Sequence, residues 1–262
     1  MTTYVYFRND DVNTLDKELP AVTQIFLDNN IPIIHAVEPA NLRSNTASWL
    51  IRTKSDNPNL IEIMQHGFDH QIRYHGEFGG KRKFDDQLQC ISRGRQIMQE
   101  TFGHHFLNAI NFPFGHYNKH TIRAVNDTGY AIISSHFKPS ISKRIFYFLG
   151  RSLKKGQIFG KHVAHHMQYY PRTNLFEIDI SISFISKYVG SYPSKQCHFL
   201  TPEEILKEFK SIKKYTNFIG FLLHHRYHNT QHSLDIITKT IDKLAAQDVC
   251  FTNYTQLYAE FS

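Results

Sequence analysis

The chain has 262 residues, of which 41% are hydrophobic and 20% are charged, and its formal net charge is +7. Because an α/β barrel of about 250 residues is an ordinary size, a single domain over residues 1–262 is predicted. The sequence has no run of about 18 apolar residues and no basic leader followed by an apolar segment, which argues against a membrane-spanning or exported protein. The three cysteines show no C-x-x-C spacing, as expected for reduced thiols in the cytoplasm.

Strands and helices are predicted to alternate along the chain. In chain order they are a strand at 3–7, a helix at 15–29, strands at 31–37 and 60–64, a helix at 84–102, a strand at 108–112, a helix at 120–127, a strand at 130–133, a helix from 202, a strand at 218–223, a helix at 231–247 and a strand at 249–254. Thr201 is expected to cap the helix that begins at Pro202. This alternation predicts an α/β fold in which crossover helices close a parallel sheet.

The first predicted strand leads into two adjacent carboxylates, Asp10 and Asp11. An Asx turn or a helix cap is the ordinary explanation for such a pair. Two neighbouring acids after a buried strand are nevertheless costly unless a cation or a shared proton separates their roles. The pair therefore also suggests a site in which one carboxylate binds a metal ion and the other acts as a base.

Two histidines, His66 and His70, lie four residues apart just after the strand at 60–64. Imidazole is a common ligand for zinc and other divalent transition metals. The metalloprotease motif fits poorly, because Gly67 follows the first histidine where that motif needs a glutamate. Gly67 instead suggests a turn that brings both rings to one point. The spacing alone is weak evidence, since the chain contains 17 histidines, and a third ligand is still required.

Two further short motifs lie at the ends of predicted strands, Pro113-Phe114-Gly115 and Leu222-Leu223-His224. Together with Asp10-Asp11 and His66-x-x-x-His70, these motifs resemble, in the same order and with comparable spacing, those of the polysaccharide deacetylases, the NodB-homology or carbohydrate esterase family 4 group. The resemblance extends from residue 4 to about residue 228. It implies an irregular (β/α)7 barrel of the NodB type.

The resemblance implies a role for the residues of the first two motifs. Asp11, His66 and His70 would bind one divalent metal ion, with zinc expected and cobalt, nickel or manganese as alternatives, because a site of two histidines and one aspartate suits several metals. Asp10 would be the general base that takes a proton from water. Hydrolysis of an amide also needs charge stabilisation on the carbonyl oxygen and a proton for the departing nitrogen.

The later motifs resemble the parts of the family that meet those two needs. His224 would protonate the leaving amine, and the backbone N–H of Phe114 would stabilise the oxyanion. His225 competes with His224 for the role of the acid, and only one of them can face the site from a regular strand, because adjacent strand residues point to opposite faces. Three residues of the third motif region are expected to contact the substrate: Asn111, Pro113 and Gly115.

Two features depart from the family pattern. Asn111 stands two residues before the proline, where the family usually has an arginine that steadies the catalytic base. The Asp-rich stretch ending in Trp that partners this arginine is also missing, since the only Trp is Trp49. Such paired departures resemble divergent deacetylases of bacterial surface-polysaccharide biosynthesis. The alternative is a catalytically inactive barrel that binds glycans, against which the retention of both Asp and both His residues argues.

The segment at 137–174 interrupts the alternation as a predicted basic insertion. It contains no acidic residue and eight basic ones: Lys138, Lys143, Arg144, Arg151, Lys154, Lys155, Lys161 and Arg172. Interleaved apolar residues suggest contact with phosphates or with an anionic membrane surface, and a solvated insertion covering one side of the barrel is the alternative. Three of its histidines could reach the site: His162, His165 and His166. Nucleic-acid binding has no support beyond basicity, so no nucleic-acid partner is expected.

The sequence thus predicts a metal-dependent hydrolase that removes an N-acyl group from an amino sugar. The acyl group is expected to be acetyl, with deformylation of a formamido sugar as a close variant. The resemblance to divergent deacetylases implies a role in lipopolysaccharide O-antigen or capsule biosynthesis. The lack of an export signal predicts a cytoplasmic protein, peripheral to the inner membrane if the insertion binds anionic lipid, and a nucleotide-linked or lipid-linked substrate. The oligomeric state is not indicated.

Overall fold

Parallel strands dominate the computed structural model, which describes residues 2–136, 172–190, 196–214 and 216–262 and short pieces between 149 and 169. The strands are β1 (Thr3–Val12), β2 (Ile33–Val37), β3 (Ile61–His66), β4 (Phe106–Asn111), β5 (Ile132–Ser134), β6 (Gln157–Ile158), β7 (Lys161–His162), β8 (Gln168–Tyr169), β9 (Phe176–Glu177), β10 (Ile182–Ser183), β11 (Ile185–Val189), β12 (Gln196–Phe199), β13 (Phe218–Leu223) and β14 (Val249–Phe251). The helices are α1 (Glu18–Asp28), α2 (Ser44–Asp56), α3 (Phe84–Phe102), α4 (Lys119–Asp127), α5 (Pro202–Ile212), α6 (Gln231–Ala245) and α7 (Tyr254–Phe261).

Parallel pairing runs through the series β13, β1, β2, β3, β4 and β5 and continues into β9. The chain at 175–184 then closes the ring, because it pairs with β5 through β9 and with β13 through β10. The N–H of Ile178 donates to the carbonyl of Ile133, and the N–H of Phe184 donates to that of Leu222. If this segment is counted as one strand, seven strands surround the interior. The predicted irregular (β/α)7 barrel is thus confirmed.

Successive side chains of β1 point alternately to the inside of the barrel and to its outer layer. Val5 and Phe7 belong to a core that the barrel shares with its outer helices, and the Phe7 ring lies 4.9 Å from that of Phe26 on α1. Tyr6 belongs to the interior core, where its ring meets that of Tyr254 at 5.6 Å. Since Tyr254 begins α7, this helix packs against the amino end of the barrel interior.

Several predicted boundaries agree with the structure, including those of α3 and β13. Thr201 caps α5 as predicted, since its hydroxyl accepts the N–H of Glu204. Helix α1 begins at Glu18, later than predicted, because the Asp16 carboxylate already accepts the N–H of Leu19 at 2.9 Å. Strand β1 continues to Val12, so both aspartates lie within it rather than after it.

Two helices were not predicted, α2 and α7. The strand expected at 249–254 ends at Phe251 because the Asn253 side chain caps α7 by accepting the N–H of Gln256 at 2.9 Å. None of the three cysteines, all of which lie in described residues, forms a disulfide. Within the described residues, no helix is both long and apolar enough to cross a bilayer. Apart from Arg172, the basic side chains of the predicted insertion and its histidines lie outside the described residues, so its role stays a prediction.

Candidate active site

The residues of the four motifs meet at the carboxyl edge of the barrel. Asp10 and Asp11 lie near the end of β1, His66 is the last residue of β3, and His224 directly follows β13. The parallel direction of the strands explains why these residues meet, because all the strands of such a barrel end at the same edge. A cavity of about 200 Å³ opens there. Its lining consists of Asp10, Asp11, His66, His70, Phe112, Phe114, Gly115, His136, Ser183, Tyr188, Leu222, His224 and Tyr227.

Asp11, His66 and His70 form a three-residue cluster whose ligand atoms all lie within 4.8 Å of one another. The Asp11 Oδ1 atom is 3.2 Å from His66 Nε2 and 3.1 Å from His70 Nε2. Asp11 and His66 are buried, and His70 is half-buried. One carboxylate oxygen and two imidazole nitrogens are donors that suit zinc and several other divalent ions. The cluster therefore fits one divalent ion, whose identity the donors leave open.

The charges around this cluster favour a cation at its centre. Burial opposes ionisation of Asp11, but His224, His66 and His70 outweigh it and hold the pKa of this carboxyl well below its usual range. Burial also lowers the pKa of His66, yet Asp10 and Asp11 outweigh that effect and raise it to about 9. The two acids thus favour a positive charge at His66, and a metal ion held by these ligands would supply that charge in place of a proton.

Three residues of the predicted site have a left-handed backbone: φ is 61° at Asp11, 58° at His70 and 63° at Phe114. Such a conformation costs a non-glycine residue roughly 1–3 kcal/mol, so surrounding contacts must hold it. At Asp11 the contact is Arg226, whose Nη2 donates to the Asp11 carbonyl oxygen at 2.7 Å. Strain of this kind collects at functional sites, and here it sets the direction of ligand and cavity residues.

Glu77 holds the loop between the two histidines. Its fully buried carboxylate accepts three successive backbone N–H groups, those of Phe68 at 2.8 Å, Asp69 at 3.2 Å and His70 at 3.2 Å. Burial raises the pKa of Glu77 to about 7, although these hydrogen bonds oppose the rise. No sequence pattern singled out Glu77, because its role depends on a non-repetitive loop that folds back on itself.

Gly67 makes the approach of Glu77 possible. Its φ of +54° belongs to the left-handed region, and a Cβ atom there would lie 2.4 Å from Glu77 Oε2 and 2.5 Å from Pro113 Cδ. The predicted turn at Gly67 is therefore required by both backbone conformation and space. Pro113 thus packs beneath the histidine loop and is not among the residues that line the cavity.

Asp10 is buried beside the metal cluster and is held by an arginine that the sequence analysis missed. Arg8 Nε donates to Asp10 Oδ1 at 2.7 Å, and Arg8 Nη2 donates to Asp10 Oδ2 at 2.9 Å. Asn111 Nδ2 donates to Asp10 Oδ2 at 3.0 Å. Burial would raise the pKa of Asp10, but Arg8 and His66 outweigh it and lower the pKa. The one sequence signal for Arg8 was its place on the same face of β1 as Asp10.

His224 and His225 point to different surroundings. His224 lines the cavity, and its Nδ1 lies 3.3 Å from the hydroxyl oxygen of Tyr188. His225 is fully buried on the other side of the wall, where its backbone N–H and its Nδ1 lie 2.8 and 3.2 Å from Asn9 Oδ1, and its Nε2 lies 3.5 Å from Asp16 Oδ2. Of the two predicted acids, the structure brings only His224 to the cavity.

The remaining predicted residues lie at or under the rim. Phe114 and Gly115 line the cavity, and the Phe114 ring packs 4.5 Å from that of His70. Asn111 lies behind Asp10 and is not among the lining residues. Two aromatic residues that no motif indicated, Tyr188 and Tyr227, complete this rim with ring centroids 5.4 Å apart.

No protein-family model and no curated protein matches the sequence, but solved structures match the fold. A protein from Mycobacterium smegmatis described as a polysaccharide deacetylase has a TM-score of 0.69 at 14% identity, over 99% of this chain and 90% of that one. A peptidoglycan N-acetylglucosamine deacetylase has a TM-score of 0.60 at 12% identity, over 98% and 89%. A family 4 acetyl xylan esterase from Clostridium thermocellum, in complex with cobalt, has a TM-score of 0.58 at 14% identity, over 98% and 91%. The predicted likeness to the polysaccharide deacetylases is thus confirmed in the fold.

Proposed function

We propose that this chain is a metal-dependent carbohydrate deacetylase that hydrolyses the N-acyl amide of an amino sugar. The main support for this proposal is that three kinds of group line one cavity. These are the Asp11, His66 and His70 cluster, a second acid, Asp10, and the imidazole of His224. Amide hydrolysis requires a base, an acid and a Lewis acid or an equivalent, and these groups supply each of them. The shared fold with deacetylases acting on acetylated sugars adds support.

Asp11, His66 and His70 would hold the metal ion. When bound, a divalent ion would polarise the acyl carbonyl and make a water molecule more acidic, with zinc as the expected metal. Asp10, which is also among the residues that line the cavity, would accept the proton of the attacking water. A positioned base of this kind contributes about 10²–10⁴ in rate.

His224 would give a proton to the departing amine, since it faces the cavity at the end of β13, the strand that pairs with β1. Its contact with Tyr188 through Nδ1 leaves Nε2 as the nitrogen available for the substrate. The backbone N–H of Phe114 would stabilise the oxyanion, a contribution of about 3 kcal/mol for one donor. Phe114 is held close to the metal ligands by its ring contact with His70.

The cavity indicates a small reacting group on a larger substrate. At about 200 Å³ it is below the roughly 300–1,000 Å³ of sites that enclose a drug-sized ligand, so it suits an acyl group and part of one sugar ring. The half-exposed faces of Phe114 and Tyr188 offer apolar contact for the rest of that ring. We place the substrate among acetamido or formamido sugars of bacterial surface polysaccharides, in nucleotide-linked or lipid-linked form, on the support of the divergent motif at Asn111.

The test is metal content by elemental analysis combined with acyl release from N-acetyl and N-formyl sugars. We expect about one divalent ion per native chain, lost in Asp11→Ala and His70→Ala, and retained in His104→Ala, which removes an exposed histidine outside the cavity. Release of acetate or formate should be lost in the variants that lose the metal ion and kept in those that retain it. A native chain that binds no metal after reconstitution would overturn the hydrolase. A metal-loaded chain that releases no acyl group from any sugar would favour the inactive glycan-binding barrel.

A further inference from the structure

Arg8 is the largest of the fully buried side chains and lies inside the barrel. A guanidinium cannot lose its charge, so its burial is costly unless its donors are satisfied. Two of its nitrogens donate hydrogen bonds to the two oxygens of Asp10, at 2.7 and 2.9 Å, in the bidentate geometry that arginine and carboxylate favour. A buried pair of this kind is weak evidence for stability, because apolar residues of similar volume often serve stability as well or better. A function of the pair in the site is the better explanation.

The third nitrogen of Arg8 is anchored to the opposite wall of the barrel. Arg8 Nη1 donates to Ser134 Oγ at 2.6 Å, and Ser134 Oγ in turn donates to the carbonyl of Ile178 at 2.7 Å. Ser134 ends β5, and Ile178 belongs to the segment that closes the barrel. The guanidinium is therefore fixed across the barrel by three elements, and Asp10 is fixed through it.

These contacts determine which part of Asp10 can act on a substrate. An ionised carboxylate has about four acceptor positions, two on each oxygen. Oδ2 accepts from Arg8 Nη2 and from Asn111 Nδ2, while Oδ1 accepts from Arg8 Nε. The one position that remains is on Oδ1, and Asp10 is among the residues that line the cavity. The arrangement thus presents a single lone pair of a rigidly held carboxylate.

We propose that Arg8 is the positioning residue of the general base Asp10, and that strand β1 supplies both the base and the arginine that orients it. This proposal rests on the proposed function. It assigns to Arg8 the task that the family resemblance expects of an arginine at Asn111, and it explains why asparagine suffices there. Asn111 adds one neutral hydrogen bond to a carboxylate whose charge is already matched by Arg8. Because Arg8 and Asp10 are neighbours on one face of the same strand, the carboxylate needs no charged partner from the third motif.

The experiment compares steady-state kinetics of acyl release, metal content and thermal unfolding in four variants and the native chain. Arg8→Met keeps an unbranched, flexible side chain and removes the charge, and Arg8→Lys keeps the charge but lacks the planar guanidinium that can donate to both carboxylate oxygens. The double variant Arg8→Ala/Asn111→Arg returns an arginine to the third motif in the space that Arg8 vacates. Glu62→Gln is the matched control, because Glu62 is also buried and charged but caps α7 away from the cavity.

We expect Arg8→Met to lower kcat about 10²-fold, with KM and metal content nearly unchanged, since a positioned base contributes about 10²–10⁴. Arg8→Lys should lose less, and the double variant should recover at least about tenfold of what Arg8→Met loses. Glu62→Gln should lose stability without losing kcat. Recovery by a relocated arginine is a result that a merely structural role of Arg8 would not produce.

Two results would overturn the role of Arg8 and leave the hydrolase intact. The first is a folded, metal-loaded Arg8→Met that keeps kcat within about threefold of native. The second is a loss of kcat no larger than that of an equally destabilised Glu62→Gln, with no recovery in the double variant. If Arg8→Met does not fold, Arg8→Lys decides by the same criteria. A native chain that binds metal but releases no acyl group overturns the proposed function, and the role of Arg8 falls with it.

Discussion

The two ends of the barrel contain buried carboxylates that are used in different ways. At the amino end, Glu62 of β3 accepts the N–H groups of Tyr254 at 2.8 Å and Thr255 at 2.9 Å, so its charge is matched by the start of α7. At the carboxyl end, Asp11 has two imidazole nitrogens within 3.2 Å, and all three groups face a cavity. A buried acid becomes a candidate site where the groups around it are themselves potential ligands.

Cavity size alone would have indicated the amino end. A larger depression of about 460 Å³ lies beside the strands' amino ends, and Asp56 is the one ionisable side chain in its lining. The smaller cavity at the carboxyl edge has a lining with two aspartates and four histidines. The chemistry of the lining therefore separates the two ends, and each of the following changes tests that separation.

The largest effect is expected for Asp10→Asn, which keeps the shape of the side chain and removes its ability to accept a proton. We expect kcat to fall about 10³-fold, within the usual range for a general base. The metal content should stay at the native value, because Asp10 is not part of the ligand cluster. Acyl-release kinetics and elemental analysis of the same preparation check both statements. Native-like kcat in Asp10→Asn would show that another group accepts the proton.

Buried histidines in different regions of the barrel have pKa shifts of opposite direction. His35 is fully buried between β2 and α1, 3.3 Å from Asn9 Nδ2 and 3.3 Å from Thr23 Oγ1, and burial lowers its pKa to about 3. His66, beside two acids, has the opposite shift. His35 must therefore stay neutral in the folded chain, whereas it is protonated below pH 6.5 when unfolded.

The sign of the pH effect follows from this difference. The unfolded chain binds the extra proton between pH 6.5 and pH 3, so His35 reduces the free energy of unfolding as the pH falls through that window. From neutral pH to pH 5 the loss is about 2 kcal/mol. Denaturant unfolding at several pH values measures this loss. In His35→Gln, the free energy of unfolding should depend less steeply on pH over the same window. An unchanged slope in His35→Gln would contradict the assignment.

Much of this site could be predicted from the sequence because its parts are local motifs at strand ends. A parallel barrel brings those ends together, so the topology predicts that the Asp10-Asp11 pair meets His66 and His70, and the family resemblance adds the choice of Asp11 as the ligand. Arg8 was missed for a different reason. Alternation shows that it shares a face with Asp10, but not that its guanidinium binds that carboxylate. Side-chain direction depends on packing that periodicity does not contain.

Contacts made by irregular segments were also beyond prediction. Glu77 reaches the histidine loop through a stretch without repeating structure, and Tyr188 comes from the β11–β12 hairpin, which no motif indicated. Helix α7 follows a strand so closely that its first residues were assigned to that strand. In each case the missing information is a pairing between segments that neither hydrophobic period nor spacing encodes.

A moderate effect is expected at the amino end, for Glu62→Gln. The amide retains one acceptor oxygen for the two N–H groups that Glu62 accepts, so we expect a loss of about 1–2 kcal/mol in the free energy of unfolding. Metal content and kcat should be native-like, because Glu62 is not among the residues that line the cavity. Thermal and denaturant unfolding measure the loss. A fall in metal content would contradict the separation between the two ends.

The smallest effect concerns the rim, where Tyr188 contacts the proposed acid. The Tyr188 hydroxyl lies 3.3 Å from His224 Nδ1, and this contact selects the ring orientation that presents Nε2 to the cavity. A neutral hydrogen bond contributes about 0.5–1.5 kcal/mol, so Tyr188→Phe should lower kcat about two- to tenfold. Tyr227→Phe is the matched control, because Tyr227 lines the same cavity and packs against Tyr188.

The comparison of these two variants separates orientation of the acid from contact with the sugar. If Tyr188 acts through His224, Tyr188→Phe lowers kcat and Tyr227→Phe does not, while KM changes little in either, because both variants keep the aromatic ring. Combining Tyr188→Phe with His224→Ala should then cost no more than His224→Ala alone, since residues that act as a unit are not additive. Additive losses would mean that Tyr188 contributes to the site independently of His224.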